Sequence, residues 1–189
     1  YDAGCRNIQF DDCTWGMFCD KNYWEARQED SVSLEEEAEK YLRLNNLALE
    51  NAPEDLVITT HVCRGNYHST WASSGGYEPI APFLFANENV SAYYLEFDDE
   101  RSGGFEPLRF VSDHKKVVLG LVTSKSPILE EKEVIKKRIA KAAKYIPLDR
   151  LYLSPQCGFA SCEIGNKLTE EEQWAKLALV KEIAQEVWG

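Results

Sequence analysis

Residues Leu56 to His68, with the sequence LVITTHVCRGNYH, are the most informative segment of this chain. It is apolar or β-branched up to Thr60, a pattern that predicts a buried strand. His61 and Cys63 follow at once, and residues two apart in an extended segment point to the same side. An imidazole and a thiolate can therefore reach one metal ion without a special turn. The alternative for so short a motif is a buried cysteine beside a hydrogen-bonded histidine.

Length and composition indicate one globular domain. The chain has 189 residues, of which 44% are apolar and 12% aromatic. A formal charge of -11 without a clustered Lys/Arg face argues against a nucleic-acid partner. The sequence has no apolar run of about 18 residues and no signal-peptide pattern, so we expect no membrane insertion and a cytoplasmic location. The six cysteines then indicate a reduced set, partly bound to metal, rather than a disulfide framework.

Apolar runs at regular intervals predict five strands. Helical patterns or loops lie between them, and such alternation of strands and helices is typical of a parallel sheet covered by helices. The predicted strands are Asn7 to Phe10, Leu56 to Thr60, Ala92 to Phe97, Val117 to Val122 and Leu151 to Leu153.

Capping signals and prolines set the predicted helices. Ser33 with Glu36 three residues later forms a capping box, and Ser126 followed by a proline begins another helix. Thr169 with Glu172 begins the last one. A polar loop is predicted between the first strand and the first helix, and a short helix is predicted from Pro79 to Asn87. The inward residues predicted for the last two helices are Ile135, Ile139, Ala142, Ala143 and Ile146, then Leu177, Val180, Ala184 and Val187.

Polar side chains follow every predicted strand at its C-terminal end. In a parallel barrel these ends converge on one mouth, where such barrels carry their chemistry. An open doubly wound sheet also binds ligands there, but it brings groups from five strands to one point less naturally. The predicted fold is therefore α/β, the C-terminal part (about five βα units) of a TIM (β/α)8 barrel. The residues concerned are Asp11, His61, Cys63, Glu96, Lys125 and Cys157.

Four of these side chains form a candidate zinc site. His61, Cys63, Glu96 and Cys157 supply one nitrogen, two sulfurs and one oxygen, a set that suits tetrahedral zinc. Each has an alternative explanation, since Glu96 could pair with a lysine and Cys157 could be a buried thiol. Cys162 could also replace Glu96, which would give a closed structural site.

The motifs around these residues carry a family resemblance. HVCRGN at 61–66, the strand end at Glu96, SKSP at 124–127 and SPQCGF at 154–159 resemble the catalytic C-terminal barrel of cobalamin-independent methionine synthase, specifically its shorter single-barrel bacterial relatives. The likeness extends from Asn7 to Trp188, and motif order and spacing agree together.

The resemblance implies a 5-methyltetrahydropteroyltriglutamate–homocysteine S-methyltransferase-like enzyme. Such an enzyme is zinc-dependent and moves a methyl group from methyltetrahydrofolate or a related donor to homocysteine, which gives methionine. The resemblance also implies that Asp11 holds the homocysteine amino group and that the zinc ligands are His61, Cys63, Glu96 and Cys157.

Two departures from the family pattern leave alternatives open. Lys125 stands where the longer enzymes carry a histidine proton donor, so Lys125 or His68 is the expected donor. The acidic residue expected for folate is not matched between Cys13 and Met17. A corrinoid or other methyl donor, a different thiol acceptor, or a non-catalytic structural-zinc domain therefore stay open.

The strand count bears on completeness. A (β/α)8 barrel typically takes about 250 residues, whereas only five strands are predicted here. We therefore expect residues 1–189 to form one domain, the C-terminal portion of the catalytic barrel, with three strands and part of the thiol-substrate pocket upstream of Tyr1. Five parallel strands leave two open edges. These edges are expected to be covered by upstream sequence or by a second copy in a homo-oligomer.

Overall fold

Five parallel strands form one sheet in this computed structural model, which describes residues 1–27 and 33–189. Each strand pairs with the next one in sequence, in the order β1-β2-β3-β4-β5. A doubly wound sheet would reverse its strand order at a switch point, whereas successive βα units of a barrel do not. The predicted α/β partial barrel is confirmed. The strands are β1 (Asn7–Asp12), β2 (Val57–Val62), β3 (Ala92–Glu96), β4 (Lys116–Val122) and β5 (Leu151–Pro155).

Six helices accompany the sheet among the described residues, with short 3-10 turns between some elements. The core includes the interior strands of the sheet, where Val117, Leu119 and Leu121 of β4 are inaccessible to solvent. None of the described helices combines the length and apolar character needed to cross a membrane. The helices are α1 (Cys13–Phe18), α2 (Lys21–Arg27), α3 (Leu34–Leu49), α4 (Ala81–Asn87), α5 (Lys132–Ala142) and α6 (Glu170–Trp188).

Helices α3 and α6 begin where the capping signals predict. The Ser33 hydroxyl accepts a hydrogen bond from the Glu36 backbone N–H at 3.1 Å. Thr169 and Glu172 exchange side-chain-to-backbone bonds of 3.2 and 2.8 Å, a complete capping box. These bonds satisfy N–H groups that have no partner inside the helix, so the local sequence alone fixes both starting points.

Two short helices, α1 and α2, lie where the sequence predicts a polar loop, and that prediction is wrong. An aspartate begins each helix: Asp12 and Asp20 accept backbone N–H bonds of 2.9 Å from the second residue that follows. Trp15 and Phe18 of α1 are buried and pack edge-on against Tyr41 of α3. Burial of these rings stabilises α1, which is too short to form by propensity. Residues 28–32 of that predicted loop lie outside the described residues.

Helix α5 begins later than the Ser126 cap predicts. The carboxylate of Glu130 accepts a hydrogen bond from the Thr123 backbone N–H at 2.8 Å and pairs with Lys176 of α6 at 3.0 Å. These contacts hold the segment before Lys132 out of the helix. A local capping pattern contains no information about them.

The buried face of α6 is shifted from its predicted position. Lys176 and Ile183 are the fully buried residues of this helix. A lysine is rarely buried without a partner, and here Glu130 supplies one. The residues predicted to face inward, which are Leu177, Val180, Ala184 and Val187, are half-buried.

Replacing Glu88 with glutamine is expected to stabilise the fold at neutral and alkaline pH. Glu88 is 1% exposed. Burial raises the pKa of its carboxyl from 4.5 to about 7, although the Asn45 amide bond and the Lys115 charge oppose the shift. The folded state therefore holds this proton more tightly than the unfolded state does. Stability falls as pH rises from 4.5 to about 7, and the loss is complete above that range.

Glutamine does not titrate and can still accept the Asn45 bond. The advantage of Glu88→Gln should therefore grow across this pH window to about 3 kcal/mol. Urea denaturation of both proteins at several pH values measures it. A difference that is the same at acid and alkaline pH would contradict the prediction.

Candidate metal centre

Three of the predicted ligands meet at the C-terminal edge of the sheet. The ligand atoms of His61, Cys63 and Cys157 all lie within 4.8 Å of one another. His61 and Cys63 share one side because the chain is extended at the end of β2, and Cys157 follows β5. The two strands are not neighbours. Curvature of the sheet therefore brings the third ligand to the other two.

Asp11 lies against His61 because their strands are in register. The two residues are paired across β1 and β2, and Asp11 Oδ1 lies 2.9 Å from His61 Nδ1. The other ring nitrogen, Nε2, lies 3.2 Å from the Gln156 carbonyl oxygen. Burial acts to lower the pKa of His61, but the Asp11 bond and the nearby negative charges outweigh it and raise that pKa. The hydrogen bond to His61 lowers the pKa of Asp11.

Glu96 lies beside the three-residue cluster, and its carboxylate accepts hydrogen bonds from two arginines. It is inaccessible to solvent, and the Arg64 backbone N–H donates to Oε1 at 3.0 Å. Arg101 donates from Nη2 to Oε2 at 2.8 Å. Oε1 is 3.8 Å from His61 Nε2. Burial raises the pKa of Glu96, and these donors and charges oppose the rise. The fourth predicted ligand is thus next to the cluster, paired with an arginine rather than a lysine.

The two clustered thiols interact directly. A hydrogen bond with Cys63 lowers the pKa of Cys157, whereas the same bond, together with burial, raises the pKa of Cys63. Cys157 is therefore the sulfur with the greater thiolate character. Cys162 is half-buried and does not belong to the clustered group found among the described residues. This placement favours Glu96 over Cys162 as the next donor.

Lys125 is anchored to the loop that follows β2. Its ammonium donates to the Gly65 carbonyl at 3.1 Å and to Asn66 Oδ1 at 3.0 Å. The Asn66 amide in turn donates to the Gly158 carbonyl at 2.6 Å, which ties this loop to the segment that carries Cys157. Burial lowers the pKa of Lys125. A lower pKa makes the ammonium a better proton donor.

His68 is placed differently from the other predicted residues. It is half-buried with a φ of 45°, a left-handed conformation that is unusual outside glycine. Its buried Nδ1 has no hydrogen-bond partner among the described residues. Among the described residues, no hydrogen bond joins the His68 ring to His61, Cys63 or Cys157. The structure therefore supports Lys125 more strongly than His68 as a group tied to this centre.

Sequence reasoning missed several residues that shape the site. Gln156 contacts His61 through its carbonyl, and its side-chain oxygen accepts from the Ser124 backbone N–H at 2.7 Å. The position of Gln156 next to Cys157 in the sequence was the signal that could have identified it. Asn66 lies in the HVCRGN motif at 61–66, but the motif by itself assigns it no role, and Arg101 had no comparable signal. A cavity of about 120 Å³ beside the ligands is lined in part by Gln9, His61, Tyr94, Gln156 and Cys157.

The donor set fits zinc. One imidazole and two thiols favour zinc over magnesium or calcium, which prefer oxygen ligands. The carboxylate of Glu96 is close enough to complete a four-donor set by a side-chain movement. The Asp11–His61 contact is typical of the outer carboxylates that orient ligand imidazoles.

Acid is expected to remove a metal held by these residues. Protons compete with the metal for an imidazole and for thiolates. The pKa of His61 is raised, so this competition begins at a higher pH than it would for an ordinary histidine. Metal analysis after dialysis at stepwise lower pH should show progressive loss. Stoichiometric zinc at about pH 4, well below the ordinary histidine pKa of about 6.5, would exclude His61 as a ligand.

Comparison with known sequences identifies a family match. The family model described as "Cobalamin-independent synthase, Catalytic domain" matches residues 1–186. The uncharacterized protein YxjG of Bacillus subtilis (strain 168) is 48% identical over 189 residues, which are 100% of this chain and 50% of that relative. A methionine synthase of Thermococcus kodakarensis is 25% identical over 141 residues, 66% of this chain and 38% of the relative. The chain spans about half the length of the curated Bacillus relatives it matches.

Two solved structures share the fold. A Listeria monocytogenes protein, named as a candidate vitamin-B12-independent methionine synthase, has 40% identity and a TM-score of 0.77, covering 100% of this chain and 50% of the other. A B12-independent methionine synthase from Shewanella sp. W3-18-1, solved with selenomethionine, has 22% identity and a TM-score of 0.70. That match covers 98% of this chain and 49% of the other, and it bears on the fold alone.

Proposed function

The chain belongs to the family of cobalamin-independent methionine synthase catalytic domains, and from this premise we propose that it is a zinc-dependent methyltransferase. The acceptor is the thiol of homocysteine and the product is methionine. The observation that carries the proposal is the cluster of His61, Cys63 and Cys157 at the C-terminal edge of a parallel sheet. Residues 1–189 act as one domain in this proposal.

The zinc ligands in this proposal are the three clustered residues and Glu96. When bound, zinc would lower the pKa of a coordinating thiol, so that the substrate sulfur would be a thiolate near neutral pH. Glu96 is the member of this set that would exchange for the substrate, because the Arg64 N–H and Arg101 already donate hydrogen bonds to its two carboxylate oxygens. These donors would keep the buried carboxylate hydrogen-bonded when it is not a ligand.

Asp11 serves two purposes in the proposal. One carboxylate oxygen accepts from His61 Nδ1, so Nε2, which lies 3.2 Å from the Gln156 carbonyl oxygen in this structure, is the nitrogen that would face the metal. The side chain is 67% exposed, so its remaining acceptor capacity is open to the substrate amino group. The Asp11 carboxylate would thus orient the His61 ring and attract the amino group of homocysteine.

Lys125 is the proposed proton donor to the group that loses the methyl. Two of its three N–H donors are bound by Gly65 and Asn66, which aims the ammonium and leaves one N–H for the leaving group. Its lowered pKa favours transfer. The methyl donor is methyltetrahydrofolate or a related compound, with a corrinoid-bound methyl group as the alternative.

A methylation assay with homocysteine tests the proposal. Methyltetrahydrofolate and methylcobalamin are supplied side by side, and methionine is measured with zinc present and after chelation. Zinc-dependent methionine formation from one donor is expected, with a large loss in Glu96→Gln and little change in Cys162→Ser. If Cys162→Ser loses methionine formation and Glu96→Gln retains it, the result would favour the structural-zinc alternative. No methionine from either donor would contradict the proposed reaction.

A further inference from the structure

A third thiol lies against the proposed metal centre. Cys13 follows β1 directly, and burial together with the neighbouring Cys63 thiol raises the pKa of Cys13 to about 12. It was not singled out as a ligand by its sequence pattern, and it is not part of the group of three clustered ligands. Its position therefore requires a separate explanation.

The backbone fixes Cys13 and Cys63 next to each other. The preceding residues, Asp12 and Val62, are register partners in β1 and β2, and the Cys63 N–H donates to the Asp12 carbonyl at 3.2 Å. Gly16 of α1 also abuts Cys63, since a Cβ there would lie 2.4 Å from the Cys63 carbonyl oxygen. Neighbouring strands are about 4.8 Å apart, and disulfides join residues whose Cα atoms are about 4.4–6.8 Å apart. Cys13 and Cys63 directly follow the last register pair of these two strands, so their backbones start from a separation of that order.

The two thiols differ in access. Cys13 is exposed at the end of an edge strand, whereas Cys63 is 4% exposed. A small oxidant can therefore reach Cys13 first and leave the buried Cys63 to close the bond. Cys63 and Cys157 also lie close and their thiols interact, so a bond between these two residues is the alternative that the experiment must separate from a Cys13–Cys63 bond.

We infer that Cys13 and Cys63 are an oxidation site at which a hydroperoxide forms a reversible disulfide. The peroxide O–O bond breaks and a sulfur–sulfur bond forms. Both thiols are oxidised, and the hydroperoxide is reduced to an alcohol and water, which take up the two thiol protons. A thiol reductant reverses the reaction. Where zinc is bound, which rests on the proposed function, the disulfide removes Cys63 as a ligand and releases the metal.

Peptide mapping of the zinc-free 189-residue chain after treatment with hydrogen peroxide tests the inference. Trypsin leaves Cys13 in peptide 7–21, Cys63 in peptide 44–64 and Cys157 in peptide 151–167. We expect a cross-link between the first two peptides that disappears on reduction. A cross-link between 44–64 and 151–167, or oxidation without any disulfide, would overturn the inference.

Two variants assign the cross-link to one cysteine. Peptide 7–21 also contains Cys19, so Cys13→Ser must lose the cross-link and Cys19→Ser must keep it. Cys5→Ser is the matched control, because Cys5 is also an exposed thiol near β1 and should leave the cross-link intact. If Cys13→Ser keeps the cross-link, Cys13 is not the partner. Should Cys19→Ser fail to fold, chymotryptic cleavage between Cys13 and Cys19 makes the same assignment.

A second measurement separates this inference from the proposed function. The chain loaded with zinc is treated with peroxide in the presence of a colorimetric chelator. We expect zinc release in step with the cross-link, and loss of that release in Cys13→Ser. A chain that never binds zinc but forms the cross-link would contradict the proposed metal site and support the inference. A chain that binds zinc and forms no cross-link would support the proposed metal site and contradict the inference.

Discussion

Replacing Cys157 with serine is expected to abolish stoichiometric zinc binding. Cys157 is one of the three residues whose ligand atoms cluster, and its thiol has the greater thiolate character because Cys63 donates a hydrogen bond to it. A serine hydroxyl stays protonated at neutral pH and does not replace a thiolate ligand. Loss of an outer partner typically costs about 10- to 100-fold in metal affinity, and loss of a ligand should cost more. Chelator competition and metal analysis measure the change.

The matched control is Cys162→Ser, five residues further along the same segment. Cys162 is half-buried like Cys157 but lies outside the cluster. It should retain one zinc per chain, because none of the clustered ligands changes. Zinc loss in Cys162→Ser with retention in Cys157→Ser would mean that the ligand set has been assigned wrongly.

Replacing Gly120 with alanine is expected to lower both stability and zinc affinity. Gly120 lies in β4 between β3 and β5, and a Cβ there would be 2.7 Å from Gln156 Cα and 2.9 Å from the Leu95 carbonyl oxygen. Both are backbone atoms, so a strand must shift. Overpacking of this kind typically costs about 1–3 kcal/mol of the free energy of unfolding. The shift also moves the residue next to Cys157, which should weaken zinc binding.

Gly158→Ala is the control for this substitution. Gly158 is adjacent to Cys157, yet a Cβ there would meet no heavy atom within 4 Å, and its φ is not positive. Chemical denaturation and chelator competition should give values close to those of the unchanged protein. Equal effects of Gly120→Ala and Gly158→Ala would show that the close approach in β4 does not position the ligands.

The parts predicted from sequence were those with local causes. Alternation of apolar segments gave all five strands, and the side-chain caps at Ser33 and Thr169 gave the starts of α3 and α6. Failures had distant causes. The start of α5 depends on Glu130 meeting Lys176 of another helix, and α1 depends on rings packed against α3. No window of local sequence contains both partners of such a contact.

The edge of the sheet that carries the candidate site follows from the order of residues along the chain. Donor side chains follow the strands, and parallel strands end on the same side, so His61, Cys63, Glu96 and Cys157 had to share that edge. The distances between these side chains, by contrast, depend on the tertiary structure. It clustered three ligands, placed Glu96 against Arg101 and brought Cys13 to Cys63, since sheet curvature, register and returning loops set distances between residues far apart in sequence.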